Sequence, residues 1–149
     1  TPTTPPDEVL ADVNKLILST VETAGEAVAP YRVLMPYDHY NNIATRKVSD
    51  SGEKSILNYV IENNISNEVT GRKLEILPCR WCRGTGLGGT NRMIAYTPEE
   101  EYLRIPVVPL LRTPLEQRGL FFLFYYYTSI GGVENVYPET VGYWTEFRG

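Results

Sequence analysis

From Leu120 to Tyr127 the chain reads Leu-Phe-Phe-Leu-Phe-Tyr-Tyr-Tyr, eight large apolar or aromatic residues without a break. A membrane-crossing helix needs about 20 apolar residues, so this run fits a strand. Side chains alternate along a strand. Leu120, Phe122, Phe124 and Tyr126 therefore point one way, and Phe121, Leu123, Tyr125 and Tyr127 the other. Both faces are sticky, and a chain of 149 residues has few elements with which to cover them. One face is expected to meet another layer or another chain. Assembly comes ahead of catalysis.

Hydrophobic residues make up 42% and charged residues 21%, enough for a compact domain with a core and too little polar bias for general disorder. The opening Thr1-Pro-Thr-Thr-Pro-Pro6 reads as an extended linker. With no initiator Met and no signal peptide, the chain is expected to be a piece of a longer protein, entered at that linker. The net charge of −4 is unevenly spread: residues 1–71 carry −5, residues 72–118 carry +3 and residues 119–149 carry −2. Ten of the fourteen bases are Arg, the residue favoured in planar, partly desolvated contacts. Arg104 and Arg112, with Phe121, Tyr125 and Tyr127, are the interaction residues expected on this reading. The bases are not clustered at groove spacing, which argues against a nucleic-acid-binding face.

Apolar residues at three- and four-residue steps (Val9, Leu10, Val13, Leu16, Ile17, Val21, Ala24) predict a helix over 7–24, opened by Pro6 and stopped by Gly25. Tyr31–Met35 reads as a short buried strand, and 38–45 as a short helix with Tyr40, Ile43 and Ala44 inward. Lys47–Lys54, with Ser49-Asp-Ser-Gly52, reads as a polar loop. Ser55–Asn63 is a helix capped by Ser55, with Ile56, Leu57, Val60 and Ile61 inside. Strands come after it: one from Leu74 as far as Trp81, and one over Arg92–Tyr96, with Gly84–Gly89 between them as a long hairpin or a flexible loop. Leu103–Pro114, broken by three prolines, should be extended but poorly paired. The aromatic strand comes next, then Ser129-Ile-Gly-Gly132 as a turn, then Val133–Tyr137. Helices first and strands later make this an α+β fold, with helices packed on a mixed or antiparallel sheet. The expected layout is a linker over 1–6, one domain over 7–143 with a helical half (7–64) and a strand-rich half (72–143), and a tail over 144–149.

Chemistry-bearing motifs are few. Cys79-Arg-Trp-Cys82 has the spacing of redox and zinc sites. Redox chemistry wants a helix N-terminus at the first thiol, and zinc wants about four ligands; the alternative is a pair of buried thiols on a strand. Gly84, Gly86 and Gly89 match the dinucleotide fingerprint formally, but Thr90–Tyr96 looks like a strand and not the helix that receives a pyrophosphate. His39, the single histidine, reads as solvated on a surface helix, and Glu99-Glu-Glu101 as an exposed acidic turn. No catalytic, cofactor-binding or metal-ligating residue is expected.

Several segments, in order, resemble the major capsid proteins of tailed bacteriophages, the Hong Kong-type capsid fold. They are Leu10-Ala-Asp-Val-Asn-Lys-Leu-Ile-Leu18 leading to Tyr31-Arg-Val-Leu-Met-Pro36 and Tyr40–Ala44; Ser55-Ile-Leu-Asn-Tyr-Val-Ile-Glu-Asn-Asn64; and Arg92-Met-Ile-Ala-Tyr-Thr-Pro98 with Leu103-Arg-Ile-Pro106. The aromatic strand running to Val136-Tyr-Pro-Glu-Thr-Val-Gly-Tyr143 completes the series. The resemblance spans most of 8–143 and implies the C-terminal portion of such a protein: an axial domain plus strands returning to the peripheral domain. The family's N-terminal arm, extended loop and spine helix are not seen in this sequence. What it implies is a structural, non-enzymatic subunit of an icosahedral shell, assembled in the bacterial host cytoplasm. Its partners would be other copies of itself and, indirectly, the enclosed double-stranded DNA, with no membrane. This portion alone should be monomeric or weakly oligomeric. A nanocompartment shell protein of the same fold, or a small enzyme using Cys79/Cys82 or the Gly84–Gly89 loop, are the alternatives.

Overall fold

The computed structural model describes residues 6–48 and 52–145. Thr1–Pro5 of the expected linker, Ser49–Ser51 of the polar loop and residues 146–149 of the tail lie outside the described residues. In chain order the elements are α1 (Pro6–Thr23), β1 (Arg32–Met35), α2 (Tyr37–Thr45), α3 (Ile56–Glu62), α4 (Ile65–Thr70), β2 (Glu75–Pro78), β3 (Met93–Tyr96), β4 (Leu103–Arg104), β5 (Leu111–Arg112), β6 (Glu116–Arg118), β7 (Phe121–Leu123), β8 (Tyr126–Tyr127), β9 (Glu134–Asn135) and β10 (Gly142–Trp144). Two compact units result. One holds the described residues up to Pro98 and again from Tyr137; the other is Glu99–Val136. The strand-rich half is thus shared between them.

The first unit is helices on one face of a four-stranded mixed sheet, ordered β10-β3-β1-β2. α1 forms because its apolar residues return on one face: Val9, Val13, Leu16, Ile17 and Val21 are all buried, as their spacing predicts. It ends at Gly25, whose φ of 64° places it in the left-handed region. There Glu26 N–H donates to Val21 O (2.9 Å) and Gly25 N–H to Glu22 O (3.0 Å), satisfying carbonyls the helix leaves open. Ser55 caps α3, accepting from Asn58 N–H at 3.3 Å. A further helix, α4, follows at Ile65–Thr70 where none is expected from the sequence. Asn64 makes that helix: its Oδ1 accepts from Asn67 N–H (3.0 Å) while its Nδ2 donates to Val60 O (2.8 Å), closing one helix and opening the next.

β1 is the hinge of the sheet's order, parallel to β2 and antiparallel to β3. The expected hairpin between β2 and β3 through the glycine loop does not form, because β1 lies between them. β2 is also shorter than expected. Pro78 offers no N–H, and Arg80–Cys82 turns into a 3₁₀ helix before Trp81 can continue the strand. Val33 pairs with Ile76 on one side and Ala95 on the other; all three are buried against the helices with Met35 and Met93. Each such large side chain contributes roughly 1.5–3 kcal/mol by leaving water. β10 joins β3, with Trp144 opposite Met93, so the ladder reaches one residue past the expected boundary at 143.

Gly142 explains the closing Val-Gly-Tyr. A Cβ there would land on the Thr20 hydroxyl and come within 3.1 Å of Thr20 Cβ and 3.3 Å of Leu16 Cδ1. Only glycine lets β10 lie this close to α1.

Candidate functional site: an exposed aromatic hairpin

The second unit is one long antiparallel hairpin. β4 pairs with β9, Val107 bridges Ile130, β5 pairs with β8, and β6 pairs with β7. At the tip, Arg118 opposes Phe121 across a two-residue turn. Gly119 takes its first position at φ 65°, the left-handed start that a tight hairpin turn demands.

The two limbs do not run in one register. Between Arg112↔Tyr126 and Glu116↔Leu123 the outgoing limb has one residue more than the returning limb, at Pro114. It gains another between Val107↔Ile130 and Leu111↔Tyr127, at Pro109. Near the base the extra residue lies on the returning limb, at Gly131-Gly132-Val133. Each bulge sits where proline withholds an N–H or glycine relaxes the backbone. Thr113 bridges the first gap, its N–H donating to Tyr125 O (2.8 Å) and its Oγ1 accepting from Tyr125 N–H (2.8 Å). The continuous aromatic strand expected over Leu120–Tyr127 is therefore two short strands, β7 and β8, split opposite Pro114. Leu103–Pro114 is extended and sparsely paired, as its prolines imply.

Side chains on both faces of the hairpin are exposed. Leu120 at the tip is 95% exposed and Phe121 77%; Phe122, Tyr125, Tyr126, Tyr127, Ile130 and Val133 are all exposed. Phe124 and Tyr126 stack edge to face, with centroids 5.4 Å apart, and Arg112 lies over the Phe124 ring at 5.5 Å. This arrangement pre-orders two rings and a guanidinium on a surface facing solvent. Arg104 reaches across the base to Glu134, Nε to Oε2 at 2.6 Å. That pair raises the guanidinium's pKa and holds the Glu134 carboxyl below its ordinary value. So the five expected interaction residues separate: Phe121, Tyr125 and Tyr127 present free rings, while Arg104 is spent within the hairpin and Arg112 is docked on a neighbour.

A second apolar row escaped the sequence reading. On the face of the sheet away from the helices, Tyr143 pairs with Ile94, Ile94 with Leu34, and Leu34 with Leu77, crossing all four strands. Tyr143 and Leu77 are exposed. The signal was the two-residue alternation in β1 and β3, where Tyr31–Met35 reads as a short buried strand with no division into faces.

The motifs weighed for catalysis and cofactor binding are built differently from what those roles need. Cys79 precedes and Cys82 ends a 3₁₀ turn, not the start of an α-helix, and burial pushes the Cys82 thiol up to about 12, with Cys79 adding to the shift. The pair is thus not on a strand either. The glycine loop closes on itself, Gly86 N–H donating to Thr90 O at 2.8 Å, and leads into β3 with no α-helix to receive a phosphate. His39, expected in solvent, is buried: Asn91 Nδ2 donates to its Nε2 at 2.6 Å, and Asn91 Oδ1 accepts from Gly84 N–H at 3.2 Å. The histidine anchors the foot of the loop to α2. Among the described residues no three His, Cys, Asp or Glu side chains converge on a metal-sized site, and no helix is long and apolar enough to cross a membrane.

A family model described as major capsid protein matches residues 3–146. The chain belongs to the major capsid protein family. Its fold is also that of a solved phage shell, the capsid of Myoviridae Phage XM1. The two align with a TM-score of 0.73 at 20% identity, over 97% of this chain and 48% of that one. The chain spans about half the length of that capsid protein. No curated protein matches it. Membership places this capsid-family chain among structural proteins, which agrees with the exposed aromatic hairpin.

Proposed function

We propose that this chain is the axial domain and returning hairpin of a phage or prophage major capsid subunit. Repeated heterologous contacts around five- and six-fold positions would close such subunits into an icosahedral shell around DNA, assembled in the host cytoplasm. The observation that carries the reading is the hairpin, whose aromatic side chains are exposed on both faces. A solvent-facing Phe or Tyr stabilises nothing until it is covered, and covering each one contributes roughly 1.5–3 kcal/mol. Phe121, Tyr125 and Tyr127 are the side chains assigned to contacts with neighbouring chains. Arg112 fixes the presentation of Phe124, and Arg104 holds the base on which the hairpin stands. By itself the chain is monomeric or weakly associated, because a hairpin without its cover offers no closed set of contacts.

Tyr125→Asp in the full-length protein tests this. The variant should fold, keep its far-UV spectrum and sediment as free subunits, while the wild type yields shells in the electron microscope. Normal particles from Tyr125→Asp would refute the assignment.

A further inference from the structure

We propose that Cys79 and Cys82 are a modification site: they close into a reversible intrachain disulfide by exchange with a low-molecular-weight disulfide. Cys79 ends the β1–β2 ladder, its N–H donating to Met35 O at 2.7 Å. The chain then folds back at once, Cys82 N–H donating to Cys79 O at 3.3 Å. A turn closed in this way brings its first and fourth Cα atoms within about 7 Å. A disulfide spans Cα separations of about 4.4–6.8 Å, so the ring closes on a backbone already in place.

The two thiols differ in the way an exchange reaction requires. Both are free; Cys79 is partly accessible, and Cys82 is 1% exposed. Cys79 is thus the sulfur an outside disulfide meets. Its thiolate attacks one sulfur of the reagent, forming a mixed disulfide and expelling one thiolate. Cys82 then loses its proton and attacks Cys79 Sγ, expelling the second. The protein gives up two electrons and two protons, and the reagent leaves as two thiols. Cys79 already acts on its partner, being among the causes that raise Cys82. Burial makes Cys82 a poor thiolate, which slows the second step, but its fixed place in the turn gives it a high effective concentration.

The site is not idle structure. Between the cysteines stands Trp81, 70% exposed, with the Arg80 guanidinium 4.2 Å above its ring. Cys82 O accepts from Arg92 N–H at 2.9 Å, which ties the turn to the start of β3. A disulfide would lock the foot of the loop from which Trp81 projects.

The test uses the whole chain with oxidised glutathione as probe, acid quenching, alkylation of remaining thiols and intact-mass measurement. Wild type should become a species lighter by two hydrogens, carrying neither alkyl group nor glutathione, and glutathione in its reduced form should reverse it. Cys82→Ser should instead accumulate one glutathione on Cys79, and Cys79→Ser should react at least tenfold more slowly than either. A wild type that stops at the glutathione adduct, or still takes two alkyl groups under oxidising conditions, overturns the proposal. So does a Cys79→Ser chain that reacts as fast as wild type. Far-UV spectra of the three proteins identify any variant that fails to fold; in that case the wild-type mass alone decides.

Discussion

Adding one methyl at Gly142 should damage the first unit, and should damage it less once Thr20 has been cut back to Ala. The new Cβ would collide with Thr20 Oγ1 and crowd Thr20 Cβ at 3.1 Å and Leu16 Cδ1 at 3.3 Å. Overpacking of this kind costs about 1–3 kcal/mol. For a chain of this size each kcal/mol lowers the melting temperature by roughly 2–4 °C, so Gly142→Ala should melt roughly 2–12 °C below wild type. Thr20→Ala alone removes a buried γ-methyl and a hydroxyl that donates to Leu16 O at 2.8 Å, a helical bond the backbone duplicates. Losing both should cost about 1–2 kcal/mol. In the double variant the worst contact is gone and only the two carbon contacts remain tight. The pair should therefore cost about 1 kcal/mol less than the sum of the singles, measured by denaturant unfolding followed by far-UV ellipticity. Independent sites add to within about 0.3–0.5 kcal/mol, and additivity inside that band would refute the close approach of β10 to α1.

Leu16→Ala should cost about 2–5 kcal/mol in the same assay, because Leu16 is fully buried; a change within error of zero would put the wrong face of α1 inside. Gly119→Val forces a β-branched residue to φ 65°, at a cost of roughly 1–2 kcal/mol, and should erase cross-strand signals between Arg118 and Phe121 in nuclear magnetic resonance spectra while leaving those of Val33 and Ala95 in place. The folded-state pKa of Glu134 is depressed, so its pairing with Arg104 is present above the ordinary glutamate value of 4.5 and lost as pH falls through the lower, folded value. Carboxyl titration should find Glu134 below 4.5 in wild type and higher in Arg104→Gln.

The helical half was the more legible because a helix writes its buried face into the sequence at a regular step. Val13, Leu16 and Ile17 could be placed without knowing their partners. Ser55 and Gly25 carried their own start and stop chemistry. The sheet was less legible, since nothing local in Glu75–Pro78 or Met93–Tyr96 says that Arg32–Met35 will come between them. His39 was misplaced for the same reason: its partner, Asn91, lies far along the chain, and the tie between them is invisible until the loop is folded. The aromatic run is exposed, and its continuity was overestimated. The break comes from Pro114 on the opposite limb, so the cause lies outside the run itself.

The bulges of the hairpin also bear on solubility. A subunit made in many copies, with bare aromatic rings, is at risk of adding strand to strand without limit. Runaway stacking needs a flat edge with several consecutive open N–H and C=O groups in one register. Here the longest uninterrupted ladder is the three-residue pairing of β6 with β7, and every limb changes phase soon after. The exposed aromatic side chains are thus mounted on a backbone that is a poor template for fibres.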